Sequence, residues 1–381
     1  MRVLNVCISA NSLTGGGTAE RTLQMSYHLV RHNVDCTLLE LDLTQSRTTV
    51  RYDHGVKIIS LPCICKRFYV PKVPWKQLCE LVQGVDIIHL ISHWTLLNII
   101  VFLLARRFNT PYVMCPAGAL PVYGRSKFLK KVYNLIIGVR IVRNAAARIA
   151  ITEDEIAHFA PYGVAARDVV VIPNGIDRSS CSGAGSNDFR RKHGLPDAEF
   201  LLFVGRLNPI KGPDMLLEAF ANIKDTIPDY HLIIAGPDDG MLKELRAFTK
   251  RYNIDSRIHF TGYIDGADKV QAYRLSRLLI IPSRQEAMSI VVLEAGMCGR
   301  PVLITDQCGF PQVTEVNGGK VVSATVGGLQ EGLTVLLADL AQLPIMGNNL
   351  KTYIVENYTW DTIIQKIIQL YGQILCRECE R

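Results

Sequence analysis

The 381-residue sequence has no long apolar run. Its greasiest stretch, residues 96–105, is ten residues long, contains Asn98 and is followed by Arg106 and Arg107, whereas a membrane-spanning helix needs about 18 to 20 apolar residues. No span is expected. Residues 1–9 read as a buried strand and lack the apolar core and small-residue cleavage site of a signal peptide, so the chain is expected to stay in the cytoplasm. The eleven cysteines are odd in number and scattered, and neither close pair, Cys63/Cys65 or Cys376/Cys379, has a second Cys or His pair at zinc-site spacing. Neither a disulfide framework nor a metal site is expected. There is no Asp-x-Asp, no Gly-x-Gly-x-x-Gly, no internal repeat, and no acidic residue between Asp86 and Glu153.

What is present is a globular composition, 48% hydrophobic and 20% charged, of a length that suits two domains. The net charge of +7 is unevenly placed: residues 1–177 carry +8 and the remainder −1. The acid-free stretch holds nine cations between Arg106 and Arg148. Such a surface suits an anionic membrane or a phosphorylated substrate; no nucleic-acid module is recognisable, so nucleic acid is not expected as a partner. The same stretch carries Phe128, Leu129, Leu135 and Ile136, and its amphipathic pattern suits either core packing or docking on an anionic leaflet.

Short apolar strands alternate with longer helical patterns, which predicts α/β architecture with parallel sheets. In the first half the strands are expected at 3–9, 35–41, 56–61, 86–90, 112–115, 148–151 and 169–172, with helices such as 19–32 and 95–108. The Ser/Gly-rich residues 178–194 read as a linker between an N-terminal domain, 1–177, and a C-terminal domain, 195–359. The second half repeats the rhythm, with strands at 200–204, 231–235, 258–260, 278–281 and 302–305. Two such Rossmann-like domains in tandem predict a ligand cleft at their strand C-termini.

Two second-half elements carry chemistry. Strand 200–204 ends in Gly205-Arg206-Leu207-Asn208-Pro209-Ile210-Lys211-Gly212 before a helix, so Arg206 and Lys211 are candidates to converge on a diphosphate. Strand 278–281 is followed by Glu286 and, eight positions on, Glu294, two carboxylates suited to sugar hydroxyls. The backbone N–H groups around Met288, Ser289 and Ile290, at a helix start, suit phosphate or sugar oxygens. In the first half, Gly15-Gly16-Gly17 permits close approach to a ligand. His93 follows a strand end and is a candidate contact for the acceptor, while His89, inside the strand, reads as a core imidazole.

The order Gly-Arg-x4-Lys, the Glu-x7-Glu pair, the strand after Gly299-Arg300-Pro301 and the upstream Pro173-Asn174-Gly175-Ile176-Asp177 together resemble the retaining glycosyltransferases of family 4, which have the GT-B fold of two Rossmann-like domains facing each other across a cleft. The resemblance implies a transferase that moves a sugar from a UDP- or GDP-sugar to an oligosaccharide or lipid-linked acceptor with retention, in cell-surface polysaccharide synthesis. It implies that Arg206 and Lys211 bind the diphosphate, Glu294 the ribose, Glu286 the transferred sugar, Tyr263 and Ile264 the base, and that Gly16 and Gly17 face the donor phosphates. It also implies that helix 360–381 returns to the first domain. No cofactor or divalent metal is implied, the nucleotide sugar being a co-substrate. Two departures matter: Glu286-Ala287-Met288-Ser289 stands where the family has Glu-Gly-aromatic-Gly, and Ala117 where it often has His or Arg. A nucleotide-sugar epimerase and a non-catalytic binding subunit on the same fold are the alternatives.

Overall fold

A computed structural model describes residues 1–10, 12–44, 47–122, 126–181, 188–227 and 230–379. The chain forms two compact units, Met1–Gly175 with Trp360–Arg381, and Ile176–Thr359.

The first unit contains strands β1 (Arg2–Val6), β2 (Asp35–Asp42), β3 (Thr49–Asp53), β4 (Val56–Cys65), β5 (Val70–Pro71), β6 (Ile87–Ile91), β7 (Tyr112–Cys115), β8 (Ala147–Ala150) and β9 (Val169–Val171). They run in the order β3-β4-β2-β1-β6-β7-β8-β9, with β5 beside β4. All pairings are parallel except those of β3 and β5 with β4. The central strands are almost fully buried because helices cover the sheet, which is why they read as unbroken apolar runs. Its helices are α1 (Ser12–Arg31), α2 (Trp75–Gln83), α3 (Leu96–Phe108), α4 (Lys127–Tyr133), α5 (Val139–Arg143) and α6 (Glu153–Ile156). Thr95 starts α3 as its N-cap, its side chain accepting from the Asn98 N–H. A π-helical turn, Asn134–Gly138, separates α4 from α5.

The second unit has a fully parallel six-stranded sheet: β10 (Phe200–Val204), β11 (His231–Ala235), β12 (Ile258–Gly262), β13 (Leu278–Ile281), β14 (Val302–Thr305) and β15 (Gly319–Val322), in the order β12-β11-β10-β13-β14-β15. Its helices are α7 (Phe189–Lys192), α8 (Pro213–Ile223), α9 (Leu242–Arg251), α10 (Gly266–Leu275), α11 (Ile290–Met297), α12 (Gln312–Glu315), α13 (Val326–Ala338) and α14 (Gln342–Asn357). The last helix, α15 (Trp360–Cys379), belongs to the first unit and packs on α1.

The division falls at residue 175, two positions before the sequence-based boundary. Of the expected linker, residues 182–187 lie outside the described residues, but Phe189 is buried in the second unit and its N–H donates to Gln271 Oε1 at 3.0 Å. That part of the segment is therefore body. The cysteines need a second correction: Cys181 and Cys298 form a disulfide across 117 positions. Among the described residues no group of three metal-ligating side chains forms, and no helix is long and apolar enough to cross a membrane.

Candidate active site

Because the second sheet is parallel, the loops after β12, β11, β10, β13 and β14 all leave the same edge, and that edge gathers most of the candidate residues. Backbone contacts knit these loops together. The Gly205 N–H donates to Ala235 O at 2.9 Å, Leu207 to Pro237 O at 2.9 Å, Gly236 to Gly262 O at 2.8 Å, and Arg284 to Ile210 O at 2.7 Å. Gly212 is required: its φ is +67°, and a Cβ there would lie 2.1 Å from the Pro282 carbonyl oxygen. It is followed by Pro213 at the first position of α8, where the missing N–H costs nothing.

This close approach brings Lys211 to Glu286. Lys211 Nζ lies 2.8 Å from Glu286 Oε1, an oxygen that also accepts from the Ser283 hydroxyl. The loop is pinned from behind by the Glu286 N–H donating to Gln307 O and the Lys211 N–H donating to Asn208 Oδ1. Arg206 is half exposed and faces Asp239 at 3.6 Å, while Asp239 also accepts from Asn208 Nδ2 at 2.9 Å. Both cations expected at the diphosphate thus have an acidic partner here.

Glu294 sits one turn into α11 and is held by two side chains of α10: Lys269 Nζ at Oε1 and the Tyr273 hydroxyl at Oε2, each 2.6 Å away. Lys269 and Tyr273 are four positions apart, on one helix face. Burial, reinforced by the Glu294 charge, drives the Tyr273 phenol far above its ordinary range, so it stays a donor to the carboxylate. This answers the cost of placing an acid among apolar neighbours. At the start of α11 the Met288 and Ser289 side chains are buried. The Ser289 hydroxyl oxygen has no hydrogen-bond partner, but its N–H, expected to be open to a ligand, donates to Cys308 O at 3.2 Å, because the loop after β14 packs against this turn; the first turn of α11 leaves the following N–H groups without an intrahelical acceptor. Gly309 allows this packing, since a Cβ there would lie 2.0 Å from Ala287 O. Tyr263 is exposed and Ile264 buried in the loop after β12, on the same edge.

The remaining candidates lie in the first unit. Gly16 has φ +58° and ψ −145°, and breaks the helical segment Ser12–Arg31 just beyond β1, where an open loop was expected; Gly17 is exposed beside it. His93 requires a correction. It does follow β6, but it has no exposed surface and is walled by Trp94, Tyr133 and Tyr162, with Nε2 3.0 Å from Asn134 Oδ1. Three aromatic rings close over a side chain that strand position alone placed in the open, and no surface of it is left exposed. Burial lowers its pKa to about 4, so the ring is neutral. His89 is a core imidazole as expected, with Nδ1 2.6 Å from the Tyr371 hydroxyl of α15.

Sequence reasoning missed Asp239, Lys269, Tyr273, Ser283 and Arg21. The i, i+4 pair in α10 and Ser283, three positions before Glu286, were readable signals; Asp239 and Arg21 act across tens of positions. Arg21 is buried in α1 and donates to Ile172 O, Pro173 O and Asn174 Oδ1, holding the Pro-Asn-Gly segment in place. Glu155, also buried, accepts from the Gly118 and Ile151 N–H groups and anchors the loop after β7.

Comparison with known proteins agrees with the α/β architecture. Residues 186–342 match the family described as glycosyl transferases group 1, and residues 16–175 match a glycosyl transferase 4-like domain. A D-inositol 3-phosphate glycosyltransferase of Actinosynnema mirum is 26% identical over 336 residues, covering 78% of this chain and 77% of its own. Among solved structures, Anabaena HepE in complex with UDP-glucose superposes with a TM-score of 0.78 at 19% identity, over 98% of this chain and 100% of its own. WaaG, a glycosyltransferase involved in lipopolysaccharide biosynthesis, gives 0.70 at 19% identity over 96% and 98%, respectively.

Proposed function

The chain belongs to the group 1 glycosyltransferases of GT-B fold and uses a nucleotide sugar, and we propose that it transfers a hexosyl group from a UDP- or GDP-sugar to a saccharide or lipid-linked acceptor with retention of configuration. The Lys211–Glu286 pair beside the open first turn of α11 carries this reading. When the donor enters, the pair parts: Lys211 and Arg206 turn to the diphosphate, and Glu286 accepts hydrogen bonds from the sugar hydroxyls. Glu294, already oriented by Lys269 and Tyr273, takes the ribose hydroxyls. At the start of α11 the Ile290 N–H meets phosphate or sugar oxygens, beside Met288 and Ser289, whose own N–H donates to Cys308 O at 3.2 Å, and Tyr263 and Ile264 border the base.

As the glycosidic bond breaks, negative charge grows on the departing diphosphate, where Arg206, Lys211 and the α11 N-terminus stabilise it. The diphosphate takes the acceptor proton on the face it leaves, so the new bond forms with retention and no separate base is needed. These groups supply the positive charge that a divalent metal provides elsewhere, and activity is expected to survive EDTA. The likeness to WaaG and the cationic residues 106–148 support a role in cell-surface polysaccharide synthesis at the inner face of a membrane, with α4 as the contact.

The test is nucleotide release from UDP- and GDP-sugars with acceptor panels. Lys211→Ala or Glu286→Gln, in protein that keeps its circular dichroism spectrum and a cooperative melt above the assay temperature, should lower turnover about a hundredfold or more. Full activity in both would overturn the site assignment, and NMR of the new glycosidic bond reports retention.

A further inference from the structure

The hairpin formed by β4 and β5 has no role in the site described, yet it exposes side chains a folded chain normally hides. Ile64 is 69% exposed and Trp75, the first residue of α2, is 59% exposed; Phe68 and Tyr69 at the tip are also exposed. The tip is a defined turn: the Phe68 N–H donates to Cys65 O at 3.2 Å, and Tyr69 is held at φ +51°, a conformation that disfavours a bulky residue. No acidic residue occurs between Asp53 and Glu80, whereas Lys57, Lys66, Arg67, Lys72 and Lys76 do. The Arg67 guanidinium lies over the Phe68 ring, 5.5 Å from its centroid.

β4 runs parallel to β2, so the tip projects from the sheet's C-terminal edge, the edge from which α3 starts after β6. α3 touches β5. At its start, Trp94 meets Tyr133 and carries Lys130 over its ring at 5.4 Å, which ties α4 to the same helix. α4 and the π-turn expose Phe128 (76%) and Leu135 (84%), with Leu129 and Ile136 also exposed, among Lys127, Lys131 and Arg140. Core packing, one of the two roles open to this stretch from its pattern, does not account for these four.

We propose that the hairpin tip with Trp75 forms, together with α4, a two-point docking face for an anionic lipid bilayer. Aromatic residues seated among Lys and Arg, without one acid in either segment, form the mixture that partitions into a negatively charged headgroup layer. The proposal rests on the membrane contact assigned to α4 above and adds a second, independent element to it. Docking at two points on one unit fixes that unit's orientation to the surface, which a single helix does not.

The test is flotation of the full chain with vesicles of phosphatidylcholine alone and of phosphatidylcholine with phosphatidylglycerol. The protein should float with the anionic vesicles and be released by high salt. Phe68→Ser with Trp75→Ser, and separately Phe128→Ser with Leu135→Ser, should each lower partitioning about tenfold, with nucleotide release from a soluble acceptor assay unchanged. Trp75→Phe should remove most of a blue shift of tryptophan emission on vesicle addition, since Trp360 is buried already and Trp94 is half-buried under Lys130 and Tyr133; a shift as large as that of wild type would place Trp75 away from the bilayer. If the α4 variant fails to float and the hairpin variant floats like wild type, the hairpin proposal is overturned and the α4 contact stands. If wild type ignores anionic vesicles or floats equally with neutral ones, the docking face is overturned and the transferase reading is untouched.

Discussion

Lys211 Nζ and Glu286 Oε1 stand 2.8 Å apart although 75 positions separate them in sequence, so the groups proposed for the donor's diphosphate and its sugar neutralise each other before the donor arrives. The pair keeps both charges satisfied in a largely enclosed setting until the donor displaces it.

Removing one member of this pair should cost stability as well as activity. Lys211→Ala leaves the Glu286 carboxylate with the Ser283 hydroxyl alone, and urea denaturation should show a loss of about 1–3 kcal/mol. Glu286→Gln removes the charge but keeps the shape, and should cost less stability while still disabling transfer. Equal stabilities for the two variants would contradict the pairing.

The brackets around Glu294 make a separable prediction. Tyr273→Phe deletes the donor to Oε2 and leaves the helix register intact, so nucleoside diphosphate affinity by calorimetry should fall about five- to tenfold. The loss should shrink for an analogue lacking the ribose hydroxyls. A uniform loss across both ligands would mean that Glu294 does not read the ribose.

His93 and His89 predict acid sensitivity of the first unit. Both are held neutral by burial, His93 at about 4 and His89 at about 3, below the ordinary 6.5 of the unfolded chain. The unfolded state therefore binds more protons below that value. The stability these groups contribute is complete above pH 6.5 and falls as pH drops toward 4, by up to about 1.4 kcal/mol per pH unit for each. Urea melts at pH 7, 6 and 5 measure the slope, and His93→Gln should flatten it.

The disulfide gives a redox prediction. Cys181, near the start of the second unit, is joined to Cys298, which closes the C-terminus of α11. A loop of this length confines the unfolded chain by up to about 4–5 kcal/mol in the loop-entropy account. Dithiothreitol should lower the melting temperature of wild type and leave that of Cys181→Ser unchanged.

The strands were legible because burial on both faces writes them as apolar runs; β10, β11, β13 and β14 fall where Phe200, His231, Leu278 and Val302 announce them. β3 was missed because an edge strand need not be apolar, and Thr49-Val50-Arg51-Tyr52-Asp53 mixes charged with apolar residues and is largely exposed. The donor-side motifs were legible as local spacing, Arg206 to Lys211 and Glu286 to Glu294. What spacing could not give was pairing: Lys211 with Glu286, Glu294 with Lys269, and Cys181 with Cys298 all depend on which strands lie side by side. His93 was misplaced for a related reason, since a strand end fixes a Cα, while the rings of Tyr133 and Tyr162, forty and sixty-nine positions on, decide what covers it.

The loop architecture can be tested with two glycines that differ in what surrounds them. At Gly212 both terms oppose a side chain: φ is +67°, and the Pro282 carbonyl oxygen stands 2.1 Å from where a Cβ would be. Relieving that contact pushes the loop after β10 away from the loop after β13, and with it Lys211 from Glu286 and Ser283. Gly212→Ala should destabilise by about 2–4 kcal/mol and remove activity. Gly327, in the first turn of α13, has helical backbone and no atom within 4 Å of a built Cβ. There the same substitution should stabilise by about 0.5–1 kcal/mol through helix propensity and the reduced freedom of the unfolded chain, with turnover unchanged. Opposite signs in paired denaturation curves are the expected result. Tolerance of alanine at Gly212 would mean that the two loops do not need this approach to form the site.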